Sequence, residues 1–144
     1  MEVGKSVTRP AVDGDLDAVV DLIAPFVQKD QLLPRSREEL ADLLQNGFVA
    51  EHNERVIGFA AIDVYSKKLA ELLCLAVDVP YQGQGVGRQL VQECIRCAHE
   101  QNIFELMAIT ASERLFKEAG FDYSLPNQKR AMFIHPGDHE VGDA

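Results

Sequence analysis

Long apolar runs are missing from this sequence, and so is any surplus of positive charge. No stretch reaches the roughly 18 residues that a membrane-spanning helix needs, so no membrane partner is expected. Met1 to Arg9 has no apolar signal core, and a cytoplasmic location is expected. Lys and Arg number 14 against 23 Asp and Glu, a net charge of −9. A nucleic-acid surface needs clustered basic residues, so no such partner is expected either. An acidic surface attracts cationic substrates, although most such charge only keeps a protein soluble. Cysteine is scarce. Three residues do not make a disulfide framework. Cys94 and Cys97 have Cys-x2-Cys spacing, but no second pair exists and no nearby histidine completes a ligand set, so no metal is expected. Both fall on the side of Val86, Leu90 and Ala98 and read as small buried hydrophobes, as does Cys74 in its apolar run. Internal repeats, low-complexity segments and linkers are absent as well.

What is present suits one globular domain. The chain has 144 residues, 47% of them apolar and 26% charged. The domain is expected over residues 1–135, with 136–144 a disordered acidic tail. Ser6 to Val12 reads as a first strand. Asp15 to Gln28 carries Leu16, Val19, Val20, Ile23 and Val27 at helical spacing, with Pro25 expected to kink or end it early. Ser36 with Glu39 is a capping-box pattern for a helix to about Asn46. Phe48 to Glu51 and Val56 to Tyr65 read as strands around a turn at His52 to Arg55. After the polar break Ser66-Lys67-Lys68, Glu71 to Asp78 reads as a strand buried on both faces. Pro80 to Gly85 is a loop, Val86 to Gln101 an amphipathic helix, and Phe104 to Thr110 the next strand. Ser112 suits an N-cap for a helix over Glu113 to Ala119, which Gly120 ends. Phe121 to Tyr123 and Arg130 to Ile134 read as final strands. The central strand, loop, helix and strand form a βαβ unit with parallel strands. The earlier strands are antiparallel, so the expected class is α/β with a mixed, mostly antiparallel sheet of 6–7 strands and about four helices.

The chemistry concentrates between Val77 and Arg88. A buried strand ends there, and Gly83, Gly85 and Gly87 lead straight into a helix. A helix N-terminus has backbone N–H groups without partners and a partial positive charge. Glycines let that backbone approach a phosphate closely, so the predicted ligand is a phosphate or pyrophosphate. A P-loop needs Lys and then Ser or Thr after its last glycine, whereas Arg88-Gln89 follows here. In a dinucleotide fingerprint Gly87 would come one residue early, and no acid stands where the ribose would be held.

The remaining pattern, Gln82 with Gly85 and Gly87, resembles the coenzyme A pyrophosphate loop of the GNAT superfamily of N-acetyltransferases. Leu75-Ala76-Val77 before the loop, Arg88-Gln89-Leu90-Val91 after it, and Ala119-Gly120-Phe121 downstream extend the resemblance over most of the chain. Ala70-Glu71-Leu72, Leu33 to Leu40, and Leu125-Pro126 with Lys129-Arg130 are most similar to the acetyltransferase domain of N-acetylglutamate synthases.

The resemblance implies a GNAT fold and an acyl-CoA-dependent N-acyltransferase. Acetyl-CoA would be the donor, and a small-molecule amine, an amino acid such as glutamate, the acceptor. It implies that the backbone of Leu75, Ala76 and Val77 pairs with the pantetheine arm. Gln82, Gly83, Gln84, Gly85, Val86, Gly87 and Arg88 would form the pyrophosphate site, between splayed parallel strands. Glu71 would be the base that deprotonates the amine; its other reading is a strand-end carboxylate paired with Lys68. Phe116 stands where relatives often place a proton-donating tyrosine, which leaves Ser112 as a donor to the departing thiolate or as a plain cap. Arg35 would grip a substrate carboxylate, with help from Lys129 or Arg130, or would be an exposed helix-entry residue. Asp63 occupies a stretch where many synthases have a different, often basic, residue. Family members often pair, so a homodimer is compatible. Acceptors of other kinds (a protein N-terminus, a polyamine, a xenobiotic amine) and a non-catalytic acyl-CoA-binding module are the alternatives.

Overall fold

A computed structural model describes residues 6–110, 112–123 and 132–138. Five strands form one sheet in the order β1 to β5: Val7–Pro10, Gly47–His52, Arg55–Val64, Leu69–Val77 and Glu105–Ala108. The first four are antiparallel, and β4 and β5 are parallel, joined through a crossover helix. The helices are α1 Leu16–Gln28, α2 Arg37–Leu43, α3 Val86–Glu100 and α4 Glu113–Glu118. Among the described residues no helix is long and apolar enough to cross a membrane.

Local chemistry explains most of the boundaries. Ser36 accepts the Glu39 N–H at 3.1 Å and starts α2. Asn53 and Glu54 take φ of 49° and 62°, the paired positive values that close a two-residue hairpin between β2 and β3. Gly120, at φ 103°, follows the end of α4. Pro25 does not end α1: the helix runs on to Gln28, because Leu22, Ile23 and Phe26 pack its last turns onto the sheet. Ser112 precedes α4, but its side chain makes no cap; its backbone, at φ −96° and ψ 55°, is not the extended form that aims a hydroxyl into the first turn.

The C-terminal expectations need correction. Phe121 to Tyr123 is not a strand, and neither is Met132 to Ile134; the rest of the expected strand at Arg130 lies outside the described residues. In the expected tail, Pro136–Asp138 forms a 3-10 turn, and 139–144 lie outside the described residues. The described sheet therefore has five strands rather than 6–7.

Two separate apolar clusters sandwich the sheet. On one face α3 and Phe116 of α4 pack onto Ile57, Ala60, Ile62, Ala70 and Leu72. On the other, α1 and α2 pack onto Val49, Phe59, Ala61, Cys74 and Ala76. Strand β4 contributes to both, and a bulge changes which of its residues face each side. Phe59 pairs with Ala76 and Ala61 with Leu73, so two residues of β4 face Ala60 alone. Cys74 sits in the bulge at φ 59°, in the left-handed region. One extra residue reverses which way every later side chain points. Ala70 and Leu72 accordingly face α3, whereas Cys74 and Ala76 face α1 and α2. Both faces of the strand are thus covered, as expected, with Ala70 and Leu72 buried on one and Cys74 and Ala76 on the other.

The first strand is tied to α1 by charge. Arg9 donates Nη1 and Nη2 to the two oxygens of Asp15 at 2.8 and 2.9 Å and Nε to Glu51 at 2.8 Å. Asp15, 7% exposed, also accepts the Val12 N–H at 2.8 Å. The Arg9 guanidinium first, and the Val12 amide, hold the Asp15 carboxyl below its ordinary range. Its contribution is therefore complete above the ordinary carboxylate pKa of about 3.9 and is lost as pH falls through the depressed value. Asp15→Asn is expected to cost about 1–3 kcal/mol at neutral pH, and its urea midpoint should converge on that of the parent as pH drops below about 4.

Candidate active site

The sheet opens at its parallel edge. β5 pairs with β4 only from Leu69↔Glu105 to Leu72↔Ala108, while β4 runs on to Val77. Leu73 to Val77, with Leu75, Ala76 and Val77 among them, have no β5 partner on that side. Peptide groups facing such a gap are obligatory hydrogen-bonding groups and suit a ligand that lies along the strand.

The strand then runs into the glycine loop. Gly83 and Gly85 adopt φ of 79° and 86°, and a Cβ on either would meet nothing within 4 Å. Glycine is therefore there for backbone conformation rather than for packing. Gly85 is the N-cap of α3, and Gln89 makes the first helical bond, to the Gly85 carbonyl at 3.1 Å. The N–H groups of Val86, Gly87 and Arg88 are left without intrahelical partners and point out of the helix start. A pyrophosphate fits this cradle: open space, free donors and the positive end of a helix dipole. Gln82 has another role. It donates its backbone N–H to Val79 and its Nε2 to the Val77 carbonyl at 2.9 Å, which fixes the bend between strand and loop. Gln84 likewise donates Nε2 to the Pro80 carbonyl at 3.3 Å. Arg88 pairs with Glu118 of α4 at 2.7 Å, so its contribution to the cradle is its backbone.

A residue that sequence reasoning passed over seats this helix. A Cβ at Gly58 of β3 would lie 3.0 Å from Leu90 Cδ1 and 3.2 Å from Val86 Cγ1. The bare backbone at Gly58 lets the first turns of α3 rest directly on the sheet.

On the α1–α2 face, Glu71 lies opposite Asp63 in the β3–β4 register. Its partner is Tyr65 rather than Lys68: Tyr65 Oη donates to Glu71 Oε1 at 2.6 Å. Glu71 first, then burial, pushes the Tyr65 phenol up to about 12, so it stays a proton donor at neutral pH. Tyr65 was legible only through the hairpin register, which makes positions 65 and 71 diagonal neighbours on one face. Arg35, with a side chain 19% exposed, reaches the same place. Its guanidinium bears on Tyr65 and on the Cys74 thiol at the bulge, and it pairs with Glu39 at 3.8 Å. A half-open cavity of about 280 Å³ lies beside Arg35, between Glu39, Asp42, Asn46 and Asp63; Glu71 and Tyr65 do not line it.

The other expected residues stand apart. Ser112 is exposed, its N–H bonded to Thr110 Oγ1 at 2.8 Å. Phe116 is 5% exposed and meets Phe121 edge to face, with centroids 5.2 Å apart. It is a packing residue of α4. Lys129 and Arg130 lie outside the described residues.

Known proteins resemble this chain in sequence and fold. The chain is 30% identical over 121 residues to an uncharacterised N-acetyltransferase of Chlorobaculum tepidum, covering 84% of this chain and 78% of the relative. It is 32% identical over 131 residues to the amino-acid acetyltransferase of Actinobacillus pleuropneumoniae, covering 87% of this chain but 30% of that protein. Its structure matches the N-acetylglutamate synthase of Neisseria gonorrhoeae, complexed with coenzyme A and N-acetyl-glutamate, at a TM-score of 0.76 and 30% identity. That match covers 88% of this chain and 31% of the synthase. The acetyltransferase (GNAT) family profile matches residues 16–121, which takes in the opened strand, the glycine loop and the helix it caps. The chain belongs to the GNAT family of acetyltransferases.

Proposed function

We propose that this protein transfers the acetyl group of acetyl-CoA to the α-amino group of an amino acid, by direct attack of the amine. One observation carries the reading. The unpaired end of β4 leads into an anion cradle, and the paired part just before it presents, on the α1–α2 face, the Glu71 carboxylate near the half-buried Arg35 guanidinium. The backbone of Leu75 to Val77 and the amides from Gly83 to Arg88 would hold coenzyme A, which brings the thioester. Arg35 would hold the substrate carboxylate.

Glu71 supplies the proton acceptor. An amine with a pKa of about 8 to 10 is mostly protonated at neutral pH and cannot attack until it loses a proton. Glu71 takes that proton, directly or through water. The C–N bond forms, the attacking nitrogen gives its surplus proton to solvent, the C–S bond breaks, and the thiolate, with a pKa of about 8.5, leaves and takes a proton from solvent. Tyr65 fixes the Glu71 carboxylate through its hydrogen bond. Tyr65→Phe is expected to lower kcat about tenfold, the scale of one hydrogen bond to a charged group, with coenzyme A affinity unchanged by calorimetry.

The relatives named amino-acid acetyltransferase and the synthase complex support an amino-acid acceptor, and glutamate belongs in any first panel. Release of free thiol from acetyl-CoA, measured with each amino acid in turn, tests the reading. Tight coenzyme A binding without transfer to any amine would instead mark a binding module.

A further inference from the structure

Between β4 and α3 the chain has little to rest on. Val79, Pro80 and Gln82 to Gly85 are all exposed, and Tyr81 alone is tucked in, against the apolar cluster under α3. The start of the bend is fixed to β3: the Asp78 N–H donates to the Ile57 carbonyl at 2.8 Å, and Arg55 pairs with Asp78 at 3.1 Å. The Tyr81 N–H then donates to the Asp78 carbonyl at 2.9 Å, and the chain turns towards Gly83. Past that point Gln82 and Gln84 reach back only to the carbonyls of Val77 and Pro80. Tyr81 is the side chain that ties this end of the loop to another strand.

Its partner is His52, the last residue of β2. Tyr81 Oη lies 3.4 Å from His52 Nδ1, and the two rings are tilted by 52° with centroids 5.3 Å apart. The other ring nitrogen, Nε2, is the one buried side-chain nitrogen or oxygen among the described residues without a hydrogen-bond partner. Whichever tautomer is present, a bare N–H or a bare lone pair is shut away from water. That costs stability, and an apolar ring in the same place would not incur it. Imidazole is thus a poor choice for the fold at this position. What it supplies is Nδ1, whose partner carries the glycine loop.

Resting on the reading of that loop as the coenzyme A cradle, we propose that His52 and Tyr81 are positioning residues for the donor. Their contact braces the loop against the end of β2 and sets the angle at which the amides from Gly83 to Arg88 meet the pyrophosphate. Neither residue touches the reacting atoms. A loop held in place beforehand does not have to be ordered by its ligand, so the brace acts on donor affinity.

The test is calorimetry of the full chain with coenzyme A, beside thermal melting of each variant. Tyr81→Phe and His52→Phe should each weaken binding about fivefold, the scale of one uncharged hydrogen bond. The two together should do no worse than either alone, because both remove the same contact. His52→Asn places an amide where Nδ1 stands and drops the buried second nitrogen, so it should bind within about twofold of the parent. His52→Phe should melt at or above the parental temperature, the reverse of what a lost packing residue gives. Parental affinity in Tyr81→Phe, effects that add in the double variant, or no rescue by His52→Asn overturns the brace. So does a His52→Phe chain that melts below the parent or fails to fold. In each case, coenzyme A binding that the parent shows and Gly85→Val weakens leaves the cradle standing. A parent that binds no coenzyme A removes both.

Discussion

Gly85→Val is expected to weaken coenzyme A binding about 100-fold, about 2.7 kcal/mol, which calorimetry with the free cofactor would measure. Gly85 is at φ 86°, where an L-residue costs about 1–2 kcal/mol and a β-branched one more. Relief of that strain would rotate the peptide units at the start of α3, and with them the N–H groups of Val86, Gly87 and Arg88. The new side chain would also stand in the open space before the cradle, since nothing within 4 Å lies where its Cβ would be. Gly14→Ala is the control, because Gly14 has equal space around it without a positive φ. Unchanged affinity in Gly85→Val would end the assignment of the loop to a pyrophosphate.

Glu71→Gln is expected to lower kcat by about 10² to 10³ at pH 7, within the range for loss of a general base. The amide is close in shape and still accepts the Tyr65 hydroxyl, so KM for acetyl-CoA should be unchanged. The deficit should shrink as pH rises towards about 9 to 10, where the amine loses its proton without help. A kcat measured from pH 7 to 10 with a saturating acceptor separates this from a structural effect, which would not recover with pH. Parental kcat at pH 7 would dismiss Glu71 as the base and leave the donor site untouched.

The geometry of the glycine loop was legible because its signal is local. Three glycines at alternate positions before an amphipathic helix impose backbone geometry that few other residues permit. The Ser36 cap and the Asn53-Glu54 turn are local in the same sense. The bulge at Cys74 was not legible, since a run of apolar residues from Leu72 to Val77 reads alike whichever face each occupies. Only the register with β3 shows that Cys74 and Ala76 point away from α3. Gly58 was missed because its reason is the distant pair Val86 and Leu90. Tyr65 was missed because its partner lies across a hairpin. Pro25 and Ser112 misled for a related reason: each residue's local preference was overridden, one by the packing of α1 and one by the backbone angles before α4. The residues proposed to meet the acceptor, Arg35, Tyr65 and Glu71, come from separate segments, which no single stretch of sequence reveals.

The reversal of side-chain direction at Cys74 divides labour between the two sides of the sheet. The helix that follows the glycine loop is anchored in one apolar cluster, and α2, just after Arg35, in the other. Changes in α2 can accumulate without disturbing the seat of α3. On the proposed reading, acceptor choice could therefore change by substitutions on one side of the sheet while the grip on the activated acyl carrier, on the other, is left alone.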